Sequence, residues 1–492
     1  MNKKNLILPL MILGAGMLSS CGDDPVDETN KDNPGIVNPG GDNTGGNSGN
    51  TSADNSGDGT GDIASSALAP SDQQALLQQV SKEALSYVSA SDFTYWKDLA
   101  IHLGNKYIDN KYFDNDVVED WFEDLVQTTK LGTSQRKEED RWESTVYTYI
   151  YNYTDNKKLF LLANLKGKFT AGVNGWEKAN ANNLQFIFTD QQGSKCELTL
   201  TTSGSSKTVH ILDDNNWGKY EYDNNTHTST EYIDRDKYYV EIPENLEVTL
   251  NVGGKTRMKT TVKAELSNIS NEVADLSKLK VNAAVTATID DYTFVTKQAA
   301  YTPNNSAVAD FAFIKGNVTV FNIVANITGF TASNIGGDFA DENTWDDMDD
   351  AKLVGGTGYF RFNLLGKLQI NGKIGDAGKI VDALKEADDS WNDEKAYKKA
   401  IDKINSNCIV GVYYNGKADK NASLYLVPFE EHHWNEVEWD MQPVLAFADG
   451  TSYSLLEESS FFNENSFKSL INMFEKLQDD FEELYDEIED NF

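Results

Sequence analysis

The chain has 492 residues, and its 78 acidic side chains against 43 lysines and arginines give a formal charge of −35. A charge this negative repels phosphate groups, which argues against nucleic acid as a partner and against docking on anionic lipid through basic residues. The length allows about three domains of average size.

The first 21 residues have the order of an export signal. Lys3 and Lys4 precede an apolar run over residues 6–18, and two serines then precede Cys21. The run is shorter than the roughly 20 residues with which a helix spans a membrane. Cleavage before Cys21 would remove residues 1–20 as a lipoprotein signal peptide.

The stretch from Leu18 to Cys21 resembles the lipobox of bacterial lipoproteins. The resemblance implies that Cys21 is the lipidation site, acylated on its sulfur and on its new amino group. The acyl chains would then attach the protein to a membrane, because each buried methylene contributes about 0.8 kcal/mol. The alternative interpretation is an ordinary secretory signal with a chance cysteine.

Residues 21–70 form the predicted tether. After Cys21 the segment contains ten glycines, eight aspartates, seven asparagines and no aromatic residue. Such a segment cannot bury enough apolar surface to offset its chain entropy, so we predict a disordered linker. Gly22-Asp23-Asp24 followed by this linker is similar to the surface lipoproteins of the Bacteroidota type, which implies an outer-membrane protein that faces the cell exterior. A lipoprotein that faces the periplasm is the alternative.

Residues 71–135 have the period of amphipathic helices. Ser71, with Gln74 three residues later, has the pattern of a capping box, and Gly132 is the expected C-cap of the last helix. His102 is interpreted as a packed or solvated residue rather than a ligand. We predict helices over residues 76–88, 93–107 and 117–126.

Residues 136–375 change to the period of β-strands. Short turns such as Gly253-Gly254 separate β-branched runs, which is typical of antiparallel neighbours. The predicted fold class is therefore α+β: an N-terminal helical segment, a large antiparallel β-meander forming a curved sheet or partial barrel, and C-terminal helices and hairpins. Predicted strands include residues 184–189, 197–202, 246–252, 259–266, 280–289, 310–314 and 317–327.

Four tyrosines alternate along one predicted strand: Tyr147, Tyr149, Tyr151 and Tyr153. The two-residue period of a strand places all four rings on the same side. One interpretation is an aromatic ladder packed beneath the helices. The other is an exposed platform for the apolar faces of sugars, which makes these four tyrosines the candidate ligand contacts.

Three other stretches contain residue types that could carry chemistry. The Gly-Gly-Lys-Thr motif at 253–256 lacks the first glycine of a phosphate loop and is predicted to be a hairpin turn. Seven acidic residues in 338–350 are predicted to form a solvated loop, with a calcium site as the alternative. His432 and His433 would point to opposite faces of a strand, so a solvated loop is favoured over a zinc site. We therefore expect no metal and no cofactor.

Residues 376–492 form the predicted C-terminal α+β segment, which ends in an amphipathic helix. Its apolar residues recur every three or four positions, as in the seam of a coiled coil. We expect this seam to dock on the protein's own sheet, with self-association through residues 467–488 as the alternative. The seam consists of Phe467, Leu470, Phe474, Leu477, Phe481, Leu484 and Ile488.

Two cysteines remain once Cys21 is acylated, namely Cys196 and Cys408, each in an apolar, strand-like run. Two cysteines do not make a disulfide framework in a chain of this length. We interpret them as separate buried thiols, with a single bridge as the alternative outside the cytoplasm.

The sequence contains no Gly-x-Ser-x-Gly elbow, no His-Glu-x-x-His pair and no Walker loop. We therefore expect a non-catalytic outer-membrane lipoprotein with a binding or structural role, whose ligand would be a glycan, a lipid or a protein. A glycan-binding or lipid-carrying accessory module is one alternative. A hydrolase with an unlocated acidic pair is the other.

Overall fold

The structure, a computed structural model, describes residues 57–108, 121, 125–162, 165–338, 351–433, 436–455, 461–462 and 464–489. The signal peptide, Cys21 and most of the predicted tether lie outside these residues. So do most of the predicted helix 117–126 and all but the first residue of the acidic run 338–350. Within the described part of the chain, no helix has the length and apolar character needed to cross a membrane.

The helices lie at both ends of the chain and in one connection within the sheet. A 3-10 turn, Ala90–Phe93, precedes the second helix, and a π turn, Gly104–Ile108, follows it. The α-helices are α1 (Pro70–Leu85), α2 (Thr94–Leu103), α3 (Ala377–Asp389), α4 (Glu394–Asn407) and α5 (Glu464–Glu489).

The start of α1 differs from the prediction. The helix begins at Pro70, and its N-cap residue, Ala69, has no side-chain oxygen to offer the first turn. The predicted capping box at Ser71 is therefore wrong. Proline suits the first helical position, because its ring fixes φ near the helical value and its missing N–H needs no partner there. By contrast, α3 and α4 begin after aspartate caps, Asp376 and Asp393.

In the described part of the chain, eighteen strands form one sheet, and nearly all neighbours are antiparallel. From β5 to β18, each strand pairs with the next, while β5 also pairs in parallel with β3, which carries β4 at the edge. The α+β class and the large, mostly antiparallel meander are confirmed. The strands are β1 (Val126–Trp142), β2 (Thr145–Phe160), β3 (Gly167–Gly172), β4 (Gly175–Ala179), β5 (Leu184–Thr189), β6 (Lys195–Asp223), β7 (Thr228–Val252), β8 (Lys255–Ser267), β9 (Lys280–Ile289), β10 (Tyr292–Thr302), β11 (Ser306–Lys315), β12 (Val318–Ser333), β13 (Lys352–Leu364), β14 (Leu368–Ile374), β15 (Cys408–Tyr414), β16 (Ala422–His433), β17 (Glu436–Phe447) and β18 (Ser452–Ser454).

The predicted strands agree with this sheet. Residues 184–189 and 280–289 coincide with β5 and β9, and the other predicted runs overlap β6, β7, β8, β11 and β12. The motif at 253–256 forms the turn and the first residues of β8, as predicted for a hairpin. Gly132, however, lies inside β1 at a register shift, so its predicted role as a helix C-cap is wrong. The segment forms a strand because pairing with β2 provides hydrogen-bond partners for its backbone N–H and C=O groups.

The hydrophobic core lies between the helices and the sheet. Ile380 of α3 and Ile401 of α4 are at most 2% exposed and belong to one cluster with residues of β12 to β16. Leu99 of α2 packs with residues of β3 to β7, and Val80 of α1 packs with residues of β14, β15 and β17. Each such aliphatic side chain contributes about 1.5–3 kcal/mol when fully buried.

Two long hairpins form a four-stranded part of the sheet, which we call the arm. The arm consists of β1, β2, residues 205–223 of β6 and residues 228–243 of β7, in the order β1–β2–β7–β6. Its two hairpins are joined by the parallel pairing of β2 with β7. No residue of β2 is buried. At the end of this strand Phe160 packs on the cluster beneath α2 and Lys157 pairs with Glu272, but over residues 145–156 the described residues place no second layer on either face of the arm.

The end of the predicted tether, residues 57–69, is bound to the sheet. The Gly59 N–H donates to the hydroxyl of Tyr413 (3.0 Å), and the side-chain amide of Asn371 donates to the carbonyl of Gly57 (2.7 Å). Both side chains are buried in β15 and β14. The predicted disorder is therefore wrong for residues 57–69, because polar groups of the sheet satisfy the backbone of this segment.

Candidate binding surface

The tyrosine row lies on β2, in the middle of the arm. All four tyrosines are half-buried, and none belongs to a hydrophobic cluster beneath the described helices. The rings of Tyr151 and Tyr153 lie side by side, with centroids 6.2 Å apart and planes 20° from parallel. This placement does not fit a ladder packed under helices.

Four further aromatic residues share the side of the arm on which the row lies. Directly opposed residues of paired strands point to the same face. The exposed fractions of these four side chains are 72% for Trp142, 67% for Trp217, 63% for Tyr220 and 41% for Tyr222. On β1, Trp142 opposes Thr145 of β2. On β6, Trp217 opposes Ile233 of β7, which in turn opposes Tyr153 of β2. In the same way Tyr220 is aligned through Glu231 with Tyr151, and Tyr222 through Ser229 with Tyr149.

We call this set of eight residues the aromatic face. It consists of Trp142, Tyr147, Tyr149, Tyr151, Tyr153, Trp217, Tyr220 and Tyr222. Ser229 and Ile233 of β7 lie between its aromatic columns and are only 3% and 4% exposed. We attribute the burial of Ser229 and Ile233 to the larger aromatic side chains that flank them on β2 and β6. The face is therefore a continuous surface rather than separate rings.

The sequence pattern contained only part of this surface. Tyr220 and Tyr222 alternate as the β2 tyrosines do, and that local signal could have marked a second row. Trp217 stands three residues before Tyr220 instead of two, because a register shift interrupts β6 between them. The two rows of rings share one surface because β2 pairs with β7, and no local sequence pattern predicts that pairing.

The charged groups of the aromatic face are mostly acidic. Arg235 binds Asp155 and lies over the ring of Tyr153, 4.2 Å from its centroid. Arg136 pairs with Glu138 at 2.6 Å. Both bases are thus already bound to carboxylates.

Asp140 and Glu231 complete the acids of the face. Asp140 opposes Tyr147, Glu231 opposes Tyr151, and neither forms an ion pair with another residue that the structure describes. Burial, followed by the charges of Glu231 and Glu138, raises the pKa of the Tyr151 hydroxyl. The Tyr151 hydroxyl therefore stays protonated at neutral pH and can donate a hydrogen bond.

The opposite face of the arm has a different composition. Along β2 it carries mainly polar residues such as Thr148 and Asn152, and on β1 it carries the ion pair of Lys137 with Glu139. Tyr232 of β7 also lies on this face and is 41% exposed. Large rings are thus concentrated on one side of the arm.

The turns at the end of the arm bring more polar groups to the aromatic face. The ring of His227 lies 5.4 Å from that of Tyr147, and its Nδ1 is 3.4 Å from the hydroxyl of Tyr222. The backbone of Glu143 and of His227 has positive φ, as tight hairpin turns require. His227 thereby links the first β2 tyrosine to the last β6 tyrosine.

The other predicted candidates do not form a site with these residues. His102 is packed as predicted: its Nε2 lies 3.0 Å from the carbonyl of Thr189, and burial lowers its pKa. The backbone of His432 and His433 belongs to β16, not to a solvated loop, because it pairs with β17. The structure's described residues contain no cluster suited to hold a metal ion. The predicted loop or calcium site at 338–350 lies outside them beyond its first residue.

Both remaining cysteines are buried and free. Cys196 belongs to the cluster beneath α2 and Cys408 to the cluster beneath α3 and α4. The interpretation as separate buried thiols is confirmed, since the two cysteines lie in different clusters. Burial raises the pKa of both, that of Cys408 to about 11, which makes them poor nucleophiles.

Sequence analysis missed one polar cluster at the base of the arm. His210 is 2% exposed, with Nε2 at 2.7 Å from Asp213 and Nδ1 at 2.5 Å from Asp338. Its ring stacks on Tyr239 at 4.7 Å. Asp338 is distant in sequence from the other members, so no local pattern could have joined them. We assign this cluster a structural role, since its polar atoms satisfy one another.

No protein-family model, curated protein or solved structure matches the chain. Function therefore has to follow from the chemistry of the aromatic face and from the N-terminal stretch.

Proposed function

We propose that the protein is a lipid-anchored binding protein of the outer membrane, that it faces the cell exterior and that its role is non-catalytic. The observation that carries the proposal is the aromatic face, eight large rings on one side of the arm, on which none of the helices that the structure describes packs. Contiguous exposed apolar surface of this kind marks interaction sites in soluble protein domains.

The anchor of the proposed protein rests on the N-terminal stretch. An apolar run that ends in Leu-Ser-Ser-Cys predicts acylation of Cys21, and the acidic, glycine-rich residues after it support display on the outer side. The predicted flexible part of the tether between Cys21 and Gly57 would span about 35 Å as a coil, which lets the folded part reach ligands away from the bilayer.

The choice between a binding role and a lipid-carrying role depends on where free apolar surface lies. A lipid carrier needs a dry cavity, whereas α3, α4 and α2 pack directly on the sheet through side chains such as Ile401, Ala383 and Leu99, at most 3% exposed. The exposed rings of the arm offer a flat surface instead. This favours capture of an extended ligand at the surface over enclosure of a lipid.

Footprinting tests the proposal without knowledge of the ligand. Hydroxyl radicals are applied to intact cells that carry the full-length protein and to the purified protein, and oxidation of each residue is read by mass spectrometry. We expect Trp142 and Trp217 to be protected on cells, while Tyr232 on the opposite face reacts equally in both samples. Equal oxidation of the aromatic face in both samples would contradict a binding role.

Two companion measurements address the anchor and its direction. Metabolic labelling with an alkyne fatty acid should mark the wild-type protein and not the Cys21→Ala variant. Protease added to intact cells should remove the folded part. If the folded part resists protease until the outer membrane is permeabilised, the protein faces the periplasm, and the proposed exterior location is wrong.

A further inference from the structure

We propose that the ligand of the aromatic face is a linear polysaccharide of neutral sugars, an inference that rests on the proposed binding role. The first argument is the length of the surface. From Tyr147 to Tyr153 the β2 row extends about 20 Å, given a rise of about 3.4 Å per residue. A second row, Tyr220 and Tyr222, runs beside it on β6. A strip of this length contacts several sugar units at once rather than a single one.

The second argument is the pairing of rings with acceptors. The apolar face of a pyranose packs on an aromatic ring, and its hydroxyls need hydrogen-bond partners at the ring edge. Asp140 lies opposite Tyr147, and Glu231 lies between Tyr151 and Tyr220. Carboxylates accept hydrogen bonds, and the tyrosine hydroxyls both donate and accept. The face thus presents both kinds of group that a sugar chain requires.

The third argument is charge. Beside the rings, from Asp140 to the pair of Asp155 with Arg235, this side of the arm has two bases, Arg136 and Arg235, both bound to carboxylates, and four acids. The chain as a whole carries −35. Uronic acids and sulfated sugars would meet two uncompensated carboxylates, Asp140 and Glu231, on a strongly negative protein. Neutral sugars meet no such repulsion.

The same charges argue against a second copy of this chain as the occupant. Two aromatic faces placed together would bring Asp140 and Glu231 of both copies into one interface, where buried like charges are costly. A protein partner of another kind is an outcome that the following experiment separates.

Affinity electrophoresis of the full-length protein in detergent tests the inference. Gels contain a neutral polysaccharide (laminarin, mannan or hydroxyethyl cellulose), an anionic one (alginate) or none. We expect retardation in at least one neutral gel and none in alginate. The double variant Trp217→Ser/Tyr220→Ser should lose about tenfold or more in affinity, since anchors of this type dominate binding.

The matched control is Tyr232→Ser. Tyr232 is as exposed as Tyr222 but lies on the opposite face of the arm, so its loss should leave retardation unchanged. Circular dichroism of all variants verifies that the sheet is intact. An oligosaccharide of six units should compete better than a single sugar, because only the longer one covers the row.

The outcomes separate this inference from the proposed function. Absence of retardation in every neutral gel, or equal retardation of wild type and Trp217→Ser/Tyr220→Ser, would overturn the polysaccharide assignment. If the footprint on cells still protects Trp142 and Trp217, the binding role stands with a protein or other ligand. Retardation in alginate at low salt would overturn the argument from charge, because electrostatic repulsion is least screened under that condition.

Discussion

Arg235 donates two hydrogen bonds to the carboxylate of Asp155, from Nε to Oδ1 at 2.6 Å and from Nη2 to Oδ2 at 3.0 Å. The two residues oppose each other in the parallel pairing of β2 with β7. This bidentate contact therefore joins the two hairpins that together form the aromatic face.

Replacement of Arg235 by lysine should loosen the arm, because an ammonium group cannot bind a carboxylate in the same two-fold way. Both side chains are partly exposed, so we expect a loss of about 1 kcal/mol in the free energy of unfolding. Hydrogen exchange should show faster exchange of β2 and β7 amides. In the control, Arg136→Lys, the pair with Glu138 is exposed, and exchange should hardly change. Equal effects of both substitutions would contradict the special role of Arg235.

Gly59 fixes the end of the tether on the sheet. Its φ is +90°, and a Cβ at this position would lie 2.6 Å from the carbonyl oxygen of Ile409. We expect Gly59→Ala to release residues 57–69 and to create a protease-sensitive site there. Gly61→Ala is the matched control, since Gly61 also has positive φ (+84°) but no atom within 4 Å of the added Cβ. If limited proteolysis gives the same fragments for both variants, the release of residues 57–69 results from the strain of a positive φ and not from the clash with Ile409.

The strands of the covered sheet could be predicted because one side of each strand is buried. In β5 the buried apolar residues Leu184 and Phe188 lie on one side of the strand, and glycine turns mark where neighbouring strands end. In β9 the apolar residues also alternate, although the residue buried there is Thr286. The position of the four β2 tyrosines on one side also follows from strand geometry alone.

The arm could not be predicted in the same way, because beyond its base, where Val209 and His210 are buried, no second layer among the described residues covers its faces. A strand without a buried side needs no alternating apolar residues, and β1 accordingly contains a run of six charged residues at 136–141. The position of Trp217 on the same face as Tyr153, with Ile233 between them, depends on the parallel pairing of β2 with β7. That pairing joins segments about 80 residues apart in the chain, which local propensity does not determine. Sequence analysis could therefore have identified Tyr220 and Tyr222 as a second row, but not that this row shares a surface with the β2 tyrosines.

The number of reactive thiols measures both burial and acylation. Cys196 is 0% and Cys408 8% exposed, so an aromatic disulfide reagent at pH 8 should modify neither in the native protein. In denaturant we expect two thiols per chain if Cys21 is acylated and three if it is not. The Cys21→Ser variant should give two in either case. Fewer than two in denaturant without reductant would mean that Cys196 and Cys408 are bridged.

The raised pKa of Asp310 predicts that the free energy of unfolding decreases as the pH rises. Burial raises the pKa of its carboxyl above the ordinary 3.8, despite the nearby Lys297 and the hydrogen bond from Asn322. A raised pKa in the folded state means that ionisation of this group destabilises the fold as the pH increases from about 3.8 through the folded pKa. We therefore expect Asp310→Asn to raise Tm by about 1–3 °C at pH 7 and to have little effect at pH 3.

Asp92 is the control, because its carboxyl group should make stability depend on pH in the opposite direction. Hydrogen bonds from Lys315 and from the hydroxyl of Tyr292 lower the pKa of its carboxyl. Its contribution to stability is thus present above pH 3.8 and is lost as the pH falls through the folded pKa. Asp92→Asn should lower Tm at pH 7 and not at acid pH. Thermal unfolding of both variants as a function of pH measures the two signs in one experiment, and parallel curves would contradict both assignments.

The seam of α5 contacts the protein itself. The ring of Phe481 lies 5.5 Å from that of Phe93, next to α2, and the ring of Phe467 lies 6.2 Å from that of Phe462. Lys97 of α2 also forms an ion pair with Glu487. The seam therefore docks mainly on the N-terminal helices, although the sequence predicted docking on the sheet.

Because the same seam residues would be needed for self-association, we expect sedimentation velocity to give a monomer in detergent. Phe481→Ser should lower Tm by a few degrees, as loss of a half-buried aromatic contact costs about 1 kcal/mol. Tyr485→Ser is the control, since Tyr485 is 64% exposed on the same helix. If the wild type sediments as a dimer and Phe481→Ser as a monomer, the helix pairs with another chain. A dimer that persists in Phe481→Ser would place the interface away from the seam, because the substitution removes a central member of it.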